Sequence, residues 1–370
     1  MRVLFITKHY PPSEGGIERY SHLLCTGLVR SGIEVEVVAA AEDQRHSSAE
    51  MIDGVKVHRL GTLLGLSGAP ISPGLPRLLS RLAPRFDLLH LNFPNPWTEL
   101  AYLCFGRRKQ AVLTYHGDIF RQKLFLRLYS PFIHILMRQM SAIIATSTNY
   151  VNSSPVLARY REKCRVIPLP VDTASLQPVE TEGVEAMRRQ YGEFVLFVGR
   201  LVYYKGLEHL IEAVGLLQDI RLVVVGRGPL EGTCRDLVAR LKLDARVTFL
   251  GKIPDEDLRA LYCACQCFVL PSVARSEAFG MVLAEAMASG RPVISTELST
   301  GTSFVNLDNE TGFVVPPGNA VALAQKIKLL FENKELQYKF GQQARQRVEQ
   351  LFRQEIMIGD TLRLYREVLA

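Results

Sequence analysis

Two glutamates, eight residues apart, form the clearest chemical pattern of the sequence. They bracket the segment Glu277-Ala-Phe-Gly-Met-Val-Leu-Ala-Glu285, in which a glycine interrupts an apolar run. The pattern predicts a helix from Gly280 to Ser289, with Gly290 ending it. Helical geometry throughout would separate the glutamates by about 12 Å along the axis, so that one phosphorylated ligand could touch both. From the spacing alone, the alternative is an ordinary amphipathic helix with a solvated carboxylate at each end.

Cations follow a predicted strand in Phe197-Val-Gly199-Arg200-Leu-Val-Tyr-Tyr-Lys205-Gly206. Ligands bind at the carboxyl ends of strands in open α/β sheets, where Arg200 and Lys205 could neutralise a diphosphate leaving group. The alternative is two solvated surface charges. A second glycine-rich strand end, Val225-Gly226-Arg-Gly-Pro229, is predicted at the same edge of the sheet.

Two more strand ends carry candidate residues. Gly15 and Gly16 join a strand to a helix, where backbone amides can approach an anion, although the loop lacks the Gly-x-Gly-x-x-Gly dinucleotide pattern. His116 and Asp118 in Thr-Tyr-His-Gly-Asp could supply polar contacts or acid–base groups. Alone, each signal is also compatible with a purely structural role.

The surrounding elements indicate an α/β protein with two Rossmann-like domains, whose parallel sheets face an interdomain cleft. A chain of 370 residues exceeds one typical core. Short apolar strands alternate with helical stretches, which is typical of βαβ units. The predicted domains are 1–172, completed by a C-terminal helix at about 353–370, and 184–352. The final helical stretch, 333–370, is expected to bend at Gly341 and Gly359. Strands are predicted at 2–7, 34–40, 55–59, 88–92, 110–115, 142–147 and 164–168, then at 194–198, 222–225, 247–250, 267–270, 292–295 and 312–315.

The amino-acid composition indicates which partners the protein could bind and in which cellular compartment it works. The net charge of +7 resides in residues 1–172, with 21 Lys and Arg against 13 Asp and Glu, whereas the remainder is close to neutral. This could serve an anionic membrane surface or acceptor, or simply be a solvated face. No nucleic-acid partner is predicted. The alternating thiols of Cys263, Cys265 and Cys267 lack zinc-site spacing and indicate buried cysteines in a reduced, cytoplasmic setting.

No signal peptide or bilayer-spanning run is recognised, so any membrane contact is expected to be peripheral. The candidate segment is 120–140, which mixes basic with large apolar residues. It could lie in an anionic interface, or be buried against the N-terminal core.

Taken together, the motifs resemble glycosyltransferase family 4, whose members are retaining enzymes of GT-B fold. The resemblance rests on the strand-end Gly-Arg-Leu…Lys-Gly, the Val-Val-Gly-x-Gly-Pro, the Leu-Pro-Ser…Glu-Ala-Phe-Gly-Met-Val-Leu-Ala-Glu and the Thr-Gly-Phe-Val-Val-Pro-Pro-Gly-Asn segments. It runs from Gly15 to about Asn319, in the expected order. The family also implies that the C-terminal helix crosses back to the N-terminal domain.

The resemblance implies a role for each candidate residue. The catalytic group would be His116 near the anomeric centre, Arg200 and Lys205 on the diphosphate, and Glu277 on a sugar hydroxyl. The substrate-binding group would be Gly15, Gly16, Asp118, Gly199 and Gly226, then Lys252 and Ile253 at the base, the amides of Phe279, Gly280 and Met281 around the sugar, and Glu285 on the ribose.

Retention of the anomeric configuration without a protein nucleophile fits a front-face displacement. In such a reaction the leaving phosphate takes the proton from the hydroxyl group of the acceptor. Asp255-Glu-Asp257 follows a proline and indicates an acidic first helical turn, so no metal or cofactor is expected. Two segments depart from the family pattern: 168–172 reads Pro-Leu-Pro-Val-Asp, and 297–303 replaces a Gly-Gly turn near the donor sugar, which leaves the identity of the sugar open.

The sequence thus predicts transfer of mannose or a related deoxyhexose from a GDP-sugar to a lipid-linked or polysaccharide acceptor, at the cytoplasmic face of the inner membrane, in cell-envelope glycan synthesis. A UDP-hexose or UDP-N-acetylhexosamine enzyme of the same fold is the first alternative. A non-catalytic nucleotide-sugar or membrane-binding protein, and a sugar phosphorylase, are the others.

Overall fold

The structure, a computed structural model, describes residues 1–41, 46–66, 69–107, 109–118, 123–171 and 179–370, and only the backbone of 64–66, 69 and 123–128. Its contacts divide the chain into two units. Unit 1 is Met1–Pro170 with Gln354–Ala370, and unit 2 is Val171–Arg353. The boundary predicted at residue 172 falls just outside the described residues. The acceptor-binding and donor-binding roles of the two units stay predictions.

Unit 1 is built on an eight-stranded sheet of order β10-β9-β8-β7-β1-β2-β4-β3. The central strands are buried on both faces, which accounts for their continuous Val, Leu and Ile runs. The elements are β1 Arg2–Ile6, α1 Gly16–Arg30, β2 Glu34–Ala40, β3 Ser48–Ile52, β4 Val55–Leu60, β5 Leu64–Leu66, β6 Ala69–Ile71, α2 Leu75–Leu82, β7 Leu88–Phe93, α3 Pro96–Phe105, β8 Gln110–Tyr115, α4 Lys123–Gln139, β9 Ala142–Ala145, α5 Thr148–Ser153, α6 Pro155–Arg159 and β10 Cys164–Val166.

Unit 2 contains a six-stranded parallel sheet of order β13-β12-β11-β14-β15-β16. Its elements are α7 Thr181–Tyr191, β11 Phe194–Val198, α8 Leu207–Gly215, β12 Arg221–Val225, α9 Glu231–Arg240, β13 Val247–Gly251, α10 Asp255–Ala264, β14 Cys267–Leu270, α11 Met281–Ala288, β15 Val293–Thr296, α12 Thr302–Val305, β16 Gly312–Val315, α13 Ala320–Glu332 and α14 Lys334–Leu351. The last helix, α15 Gln354–Leu369, packs on α1 in unit 1.

The prediction of two parallel α/β sheets is confirmed, with one exception at the edge of the unit 1 sheet. There β3 pairs antiparallel with β4 through a two-residue turn. Asp53 and Gly54 form that turn with φ of 47° and 82°. Asp-Gly is a strong hairpin signal because both central residues of such a turn need positive φ. Neither this strand nor the β5–β6 hairpin was predicted from the sequence.

The prediction of bends at two glycines in the C-terminal stretch is wrong. The break falls instead at Phe352 and Arg353, between α14 and α15. Gly341 lies inside α14, where its missing side chain admits the backbone of the turn after α11: a Cβ there would stand 2.1 Å from the carbonyl oxygen of Gly290. Gly359 lies inside α15, and a Cβ there would meet no heavy atom within 4 Å.

These two glycines predict opposite effects of one substitution. Gly341→Ala is expected to destabilise unit 2 by about 1–3 kcal/mol, because the methyl group forces α14 away from the backbone at Gly290. Gly359→Ala is the matched control and is expected to stabilise by up to ~1 kcal/mol, because alanine favours a helix interior. Urea unfolding of both variants checks the prediction. A Gly341→Ala protein as stable as Gly359→Ala would contradict the close packing.

Candidate active site

A buried ion pair joins two of the predicted catalytic residues in unit 2. Lys205 Nζ lies 2.6 Å from Glu277 Oε2, and each side chain is only about a tenth exposed. Ser272 Oγ donates a second hydrogen bond to the same carboxylate oxygen, at 3.0 Å. The structure thus brings together a cation and an anion that the sequence separates by 72 positions. Their mutual neutralisation lets both charges stay inside the protein.

Glycines let the chain deliver Lys205 to this position. Lys205 ends a 3-10 turn after β11, and Gly206 continues into α8 with φ of 64°. A Cβ at Gly206 would stand 2.3 Å from the carbonyl oxygen of Pro271. At the neighbouring strand ends, Gly199 and Gly226 are so close that a Cβ on Gly226 would stand 2.0 Å from the Gly199 carbonyl oxygen. These close backbone contacts hold the carboxyl ends of β11, β12 and β14 next to one another at one edge of the sheet.

The segment 297–303, which departs from the family pattern, holds the backbone around Glu277. Thr300 Oγ1 donates to the carbonyl oxygen of Glu277 at 2.7 Å, and the Gly301 amide donates to Ala278 at 2.7 Å. Both threonines of the segment, Thr300 and Thr302, are buried. The Thr300 hydroxyl therefore supports the backbone at Glu277 through a hydrogen bond that a Gly-Gly turn has no side chain to make.

The predicted helix after Glu277 is confirmed as α11. Gly280 precedes it in the left-handed region (φ 83°), and Gly290 follows with φ 68°. The Gly290 amide donates to Met287 and the Arg291 amide to Ala286, which is the Schellman arrangement. Because the helix begins only at Met281, Glu277 precedes it, and the 12 Å separation expected from one continuous helix does not apply.

Helix α11 has two kinds of group that could contact a ligand: the backbone amides at its start and the carboxylate of Glu285 in its interior. The backbone amides of Phe279, Gly280 and Met281 stand at the N-terminal end of the helix. No carbonyl oxygen of the helix can accept their hydrogen bonds. Glu285 is buried in the middle of α11 and accepts a hydrogen bond from Tyr262 Oη at 3.0 Å. Phe279 is anchored by edge-on contact with the ring of Phe352.

The remaining candidates of unit 2 lie nearer the surface. Arg200 is exposed, and no hydrogen bond or ion pair is recorded for its guanidinium among the described residues, which leaves it available to an anion. Lys252 is exposed and Ile253 half-buried in the loop after β13. That loop starts at Gly251, with φ of 66°.

In unit 1, His116 is held in a defined tautomer at the end of β8. Ser21 Oγ donates to the carbonyl of Ile17 at 2.7 Å, so its oxygen accepts from Asn92 Nδ2, 2.8 Å away. This orientation turns Asn92 Oδ1 towards His116 Nε2, at 3.0 Å. Nε2 must then carry the proton, and Nδ1 keeps its lone pair as an acceptor.

Burial keeps this imidazole neutral. Desolvation lowers the pKa of His116 to about 3, and the pKa of its neighbour His90 also to about 3, with the charge of His116 contributing. The ring of Tyr20 packs edge-on against His116 with centroids 5.1 Å apart. His116 is thus suited to accept a hydrogen bond from a ligand hydroxyl, and not to act as a cation at neutral pH.

Asp118 has a different environment from the one expected of a substrate contact. Its carboxylate accepts from Tyr115 Oη at 2.6 Å, Ser154 Oγ at 2.7 Å and Tyr150 Oη at 3.4 Å. Its backbone amide donates to Tyr150 Oη at 2.8 Å. These bonds fasten the loop that carries His116 to α5 and α6, whereas a substrate contact of Asp118 stays a prediction.

The two glycines of unit 1 begin α1. Gly15 precedes the helix with an extended backbone and Gly16 is its first residue. A Cβ at Gly15 would stand 2.2 Å from Glu18 Oε2. A helix of 15 residues directs its first amides and the positive end of its dipole at this point, so an anion could be held there.

Several interpretations that concern metals and cysteines can be compared with the structure. Asp255, Glu256 and Asp257 form the first turn of α10, as predicted. Among the described residues, no group of three or more His, Cys, Asp and Glu side chains is arranged to hold a metal ion. Cys265 and Cys267 are buried and Cys263 is half-buried, all as free thiols.

Sequence reasoning missed the residues that orient the predicted ones. Asn92 sets the tautomer of His116, while Ser272 and Thr300 hold Glu277, and Tyr262 binds Glu285. Ser272 stands in the Leu-Pro-Ser motif, which was a signal that could have been used. For Asn92 and Tyr262 no local pattern marks the role, because their partners are 24 and 23 positions away.

Comparisons with known proteins agree across the whole chain. Residues 14–175 match the profile described as Glycosyltransferase Family 4, and residues 185–347 match Glycosyl transferases group 1. The D-rhamnosyltransferase WbpZ of Pseudomonas aeruginosa is 38% identical over 95% of this chain and 92% of its own. The O-antigen chain mannosyltransferase C of Escherichia coli is 34% identical over 100% of this chain and 99% of its own.

Solved structures share the fold. Sucrose-phosphate synthase from Thermosynechococcus elongatus superimposes with a TM-score of 0.80 at 24% identity, covering 99% of this chain and 98% of its own. HepE of Anabaena, solved in complex with UDP, gives 0.79 at 20% identity, covering 99% and 100%. With full-length relatives above 30% identity and both profiles in order, this chain belongs to glycosyltransferase family 4 and is a glycosyltransferase.

Proposed function

We propose that the enzyme transfers mannose or a related deoxyhexose from a GDP-sugar, with retention of configuration, to a lipid-linked or polysaccharide acceptor. Two full-length relatives support the sugar, since one is called an O-antigen chain mannosyltransferase and the other a D-rhamnosyltransferase. The observation that carries the site assignment is the buried pair of Lys205 and Glu277 at the strand ends of unit 2.

In this proposal, donor binding redistributes the charges of the site. Lys205 and Arg200 face the diphosphate and offset the charge that develops as the glycosidic bond breaks. Glu277 accepts a hydrogen bond from a sugar hydroxyl, while the first amides of α11 surround the sugar. Glu285 accepts from the ribose, and Ile253 packs on the base.

His116 has a separate role in the proposed chemistry. Its unprotonated Nδ1 accepts a hydrogen bond from a hydroxyl of the transferred sugar and thereby orients the anomeric carbon. The leaving phosphate takes the proton of the acceptor hydroxyl on the same face of the sugar ring. We propose that no metal or cofactor takes part, because Lys205 and Arg200 provide the positive charge that the diphosphate requires.

Nucleotide binding tests the choice of donor. GDP is expected to raise the melting temperature by several degrees, since saturation at 100 times Kd adds about 2.7 kcal/mol to the stability of the protein. UDP and ADP are expected to raise it less at equal concentration. Differential scanning fluorimetry with the three nucleotides measures this. Stabilisation by UDP alone would replace the GDP-sugar proposal by its runner-up, a UDP-sugar enzyme.

Delivery of a lipid-linked acceptor would bring the enzyme to the cytoplasmic face of a membrane. No described helix is long and apolar enough to cross a bilayer. Helix α4 buries Ile133 and Leu136 but leaves Phe132 and Ile135 nearly half exposed, at 48% and 46%. Arg138 is exposed on the same helix. We propose that this face makes the peripheral contact. Residues 120–122 of the predicted segment, and the side chains of 123–128, lie outside the described residues.

A further inference from the structure

The short helix α12 of unit 2 is packed directly on the backbone of the proposed donor site. Gly301 precedes α12 and donates its amide to the carbonyl oxygen of Ala278 at 2.7 Å, and a Cβ at Gly301 would stand 2.6 Å from that same oxygen. Thr300, which is fully buried, donates its hydroxyl to the carbonyl oxygen of Glu277 at 2.7 Å. Because these contacts are direct and close, a displacement of α12 would also displace the backbone of Glu277 and Ala278.

Helix α12 needs outside support at its C-terminal end. It has only four residues, Thr302–Val305, and a helix of that length is unstable without tertiary contacts. Its last carbonyl oxygens have no partner within the helix. Arg347 of α14 binds two of them: Nη2 donates to the carbonyl of Phe304 at 2.6 Å, and Nε donates to the carbonyl of Val305 at 3.1 Å. The guanidinium of Arg347 therefore fixes the end of α12.

A second route connects the same guanidinium to the donor site through aromatic rings. The Cζ atom of Arg347 lies 5.4 Å from the ring centroid of Phe304 and 5.8 Å from that of Phe352. Phe352 is fully buried and packs edge-on against Phe279, with the centroids 5.9 Å apart. Phe279 follows Glu277 by two positions and carries one of the amides at the start of α11. Arg347 thus supports this backbone from two directions.

Another contact keeps α12 folded when Arg347 is removed. Asn306 Nδ2 donates to Ser295 Oγ and to the carbonyl of Phe313, both at 2.9 Å. These bonds fasten the residue after α12 to β15 and β16 without any contribution from α14. Loss of the guanidinium is therefore expected to let α12 shift, and not to unfold unit 2.

We propose that Arg347 is a positioning residue of the donor site. Through α12 and Phe352 it fixes the backbone that presents Glu277 and the first amides of α11 to the transferred sugar. Arg347 acts through these contacts and not on the substrate. The inference rests on the proposed function, which assigns the sugar to these groups and the ribose to Glu285.

Substitution of Arg347 by methionine tests the proposal, because methionine keeps an apolar stem between the two rings and removes every donor. Arg347→Met is expected to lower kcat/KM for the nucleotide sugar about 10- to 100-fold, since a misplacement of about 1 Å by a residue away from the chemistry has effects of this size. The Kd of the matching nucleoside diphosphate, measured by isothermal titration calorimetry, should stay near wild type. The reason is that Glu285 is fastened by Tyr262 and not by Arg347.

Two further variants serve as controls on α14 and at the same position. Arg345→Met removes an exposed arginine of the same helix, which pairs with Glu349 at 3.3 Å, and should change neither quantity. Arg347→Lys keeps the charge but donates from a point and not from a planar fork. It should show the same loss for the nucleotide sugar at smaller amplitude, and it is the variant to measure if Arg347→Met does not fold.

Thr300→Val tests the connection between α12 and Glu277. Valine has nearly the shape of threonine but cannot donate to the carbonyl of Glu277. The variant should also weaken use of the nucleotide sugar more than binding of the nucleoside diphosphate. Combined with Arg347→Met, it should lose little more than the larger of the two single losses, because both changes act on the same backbone.

The outcomes separate this inference from the proposed function. Wild-type kcat/KM in Arg347→Met, a nucleoside diphosphate Kd that rises as much as the nucleotide-sugar KM, or losses that multiply in the double variant would each make Arg347 a purely structural residue. A methionine variant that does not fold beside a lysine variant with wild-type kinetics would mean the same. If the wild-type enzyme uses only a UDP-sugar, the GDP-sugar proposal fails, whereas the same pattern measured with UDP and that sugar supports the role of Arg347.

Discussion

Replacing Lys205 with alanine is expected to lower kcat/KM by about 10²- to 10³-fold. The ammonium is buried 2.6 Å from Glu277 Oε2, at the strand ends where the proposal places the donor diphosphate. A preorganised charge that meets a developing negative charge in a shielded site contributes that much to catalysis. Steady-state transfer kinetics with a nucleotide sugar measure the loss. Transfer within a few-fold of wild type would remove Lys205 from the catalytic group.

The same substitution is expected to destabilise unit 2 by about 3 kcal/mol. Without Lys205, the buried carboxylate of Glu277 keeps only the hydroxyl of Ser272 and loses its counter-charge. Lys334→Ala is the matched control, because Lys334 pairs with Glu193 at 2.5 Å but both side chains are more than half exposed. Such a surface pair contributes about 0–1 kcal/mol. Urea unfolding of both variants gives the comparison.

A double substitution separates catalysis from stability. Lys205→Met with Glu277→Leu replaces both charges by apolar side chains of similar size, which often restores the stability that a single charge removal costs. This variant is expected to unfold close to wild type and still to be inactive. If the double variant regained activity together with stability, the pair would be a structural ion pair and not part of the donor site.

The strands and helices were predicted from the sequence more accurately than the way they pack against one another. Continuous apolar runs identified the buried parallel strands, because both faces of such strands must be covered. The edge strand β3 was missed, since its residues are mostly exposed and give no buried run; only Asp53-Gly54 marked the hairpin. Gly341 looked like a helix break, although its purpose is close packing on residue 290.

In the candidate site, too, the residues were predictable from the sequence but their tertiary contacts were not. Residues that would touch a ligand lie in recognisable motifs at strand ends, so Lys205 and Glu277 could be named in advance. Their pairing could not, because it depends on the Gly206 approach to Pro271, which only tertiary packing creates. Likewise, His116 was identifiable, whereas its tautomer depends on a chain of contacts through Asn92 and Ser21.

The second large effect concerns His116 in unit 1. His116→Phe is expected to lower kcat/KM by about 10- to 100-fold, because it keeps a buried aromatic ring against Tyr20 but removes the Nδ1 acceptor for the sugar hydroxyl. His90→Phe is the control: His90 is fully buried and also has a pKa lowered to about 3. It should destabilise the protein, since Tyr365 and Thr114 lose a partner, while transfer at low temperature is retained.

The pH profile distinguishes a neutral from a cationic His116. With a pKa lowered to about 3 by burial, the imidazole is unprotonated above pH 5, so wild-type kcat/KM should show no acid limb from His116 near pH 6.5. Asn92→Asp puts a carboxylate 3.0 Å from Nε2 and is expected to raise the pKa of His116 by about 1–3 units. The variant should therefore lose activity as pH falls from 6 to 5, because protonated Nδ1 can no longer accept. A wild-type limb near pH 6.5 that His116→Phe abolishes would instead mean that the imidazolium is the active form.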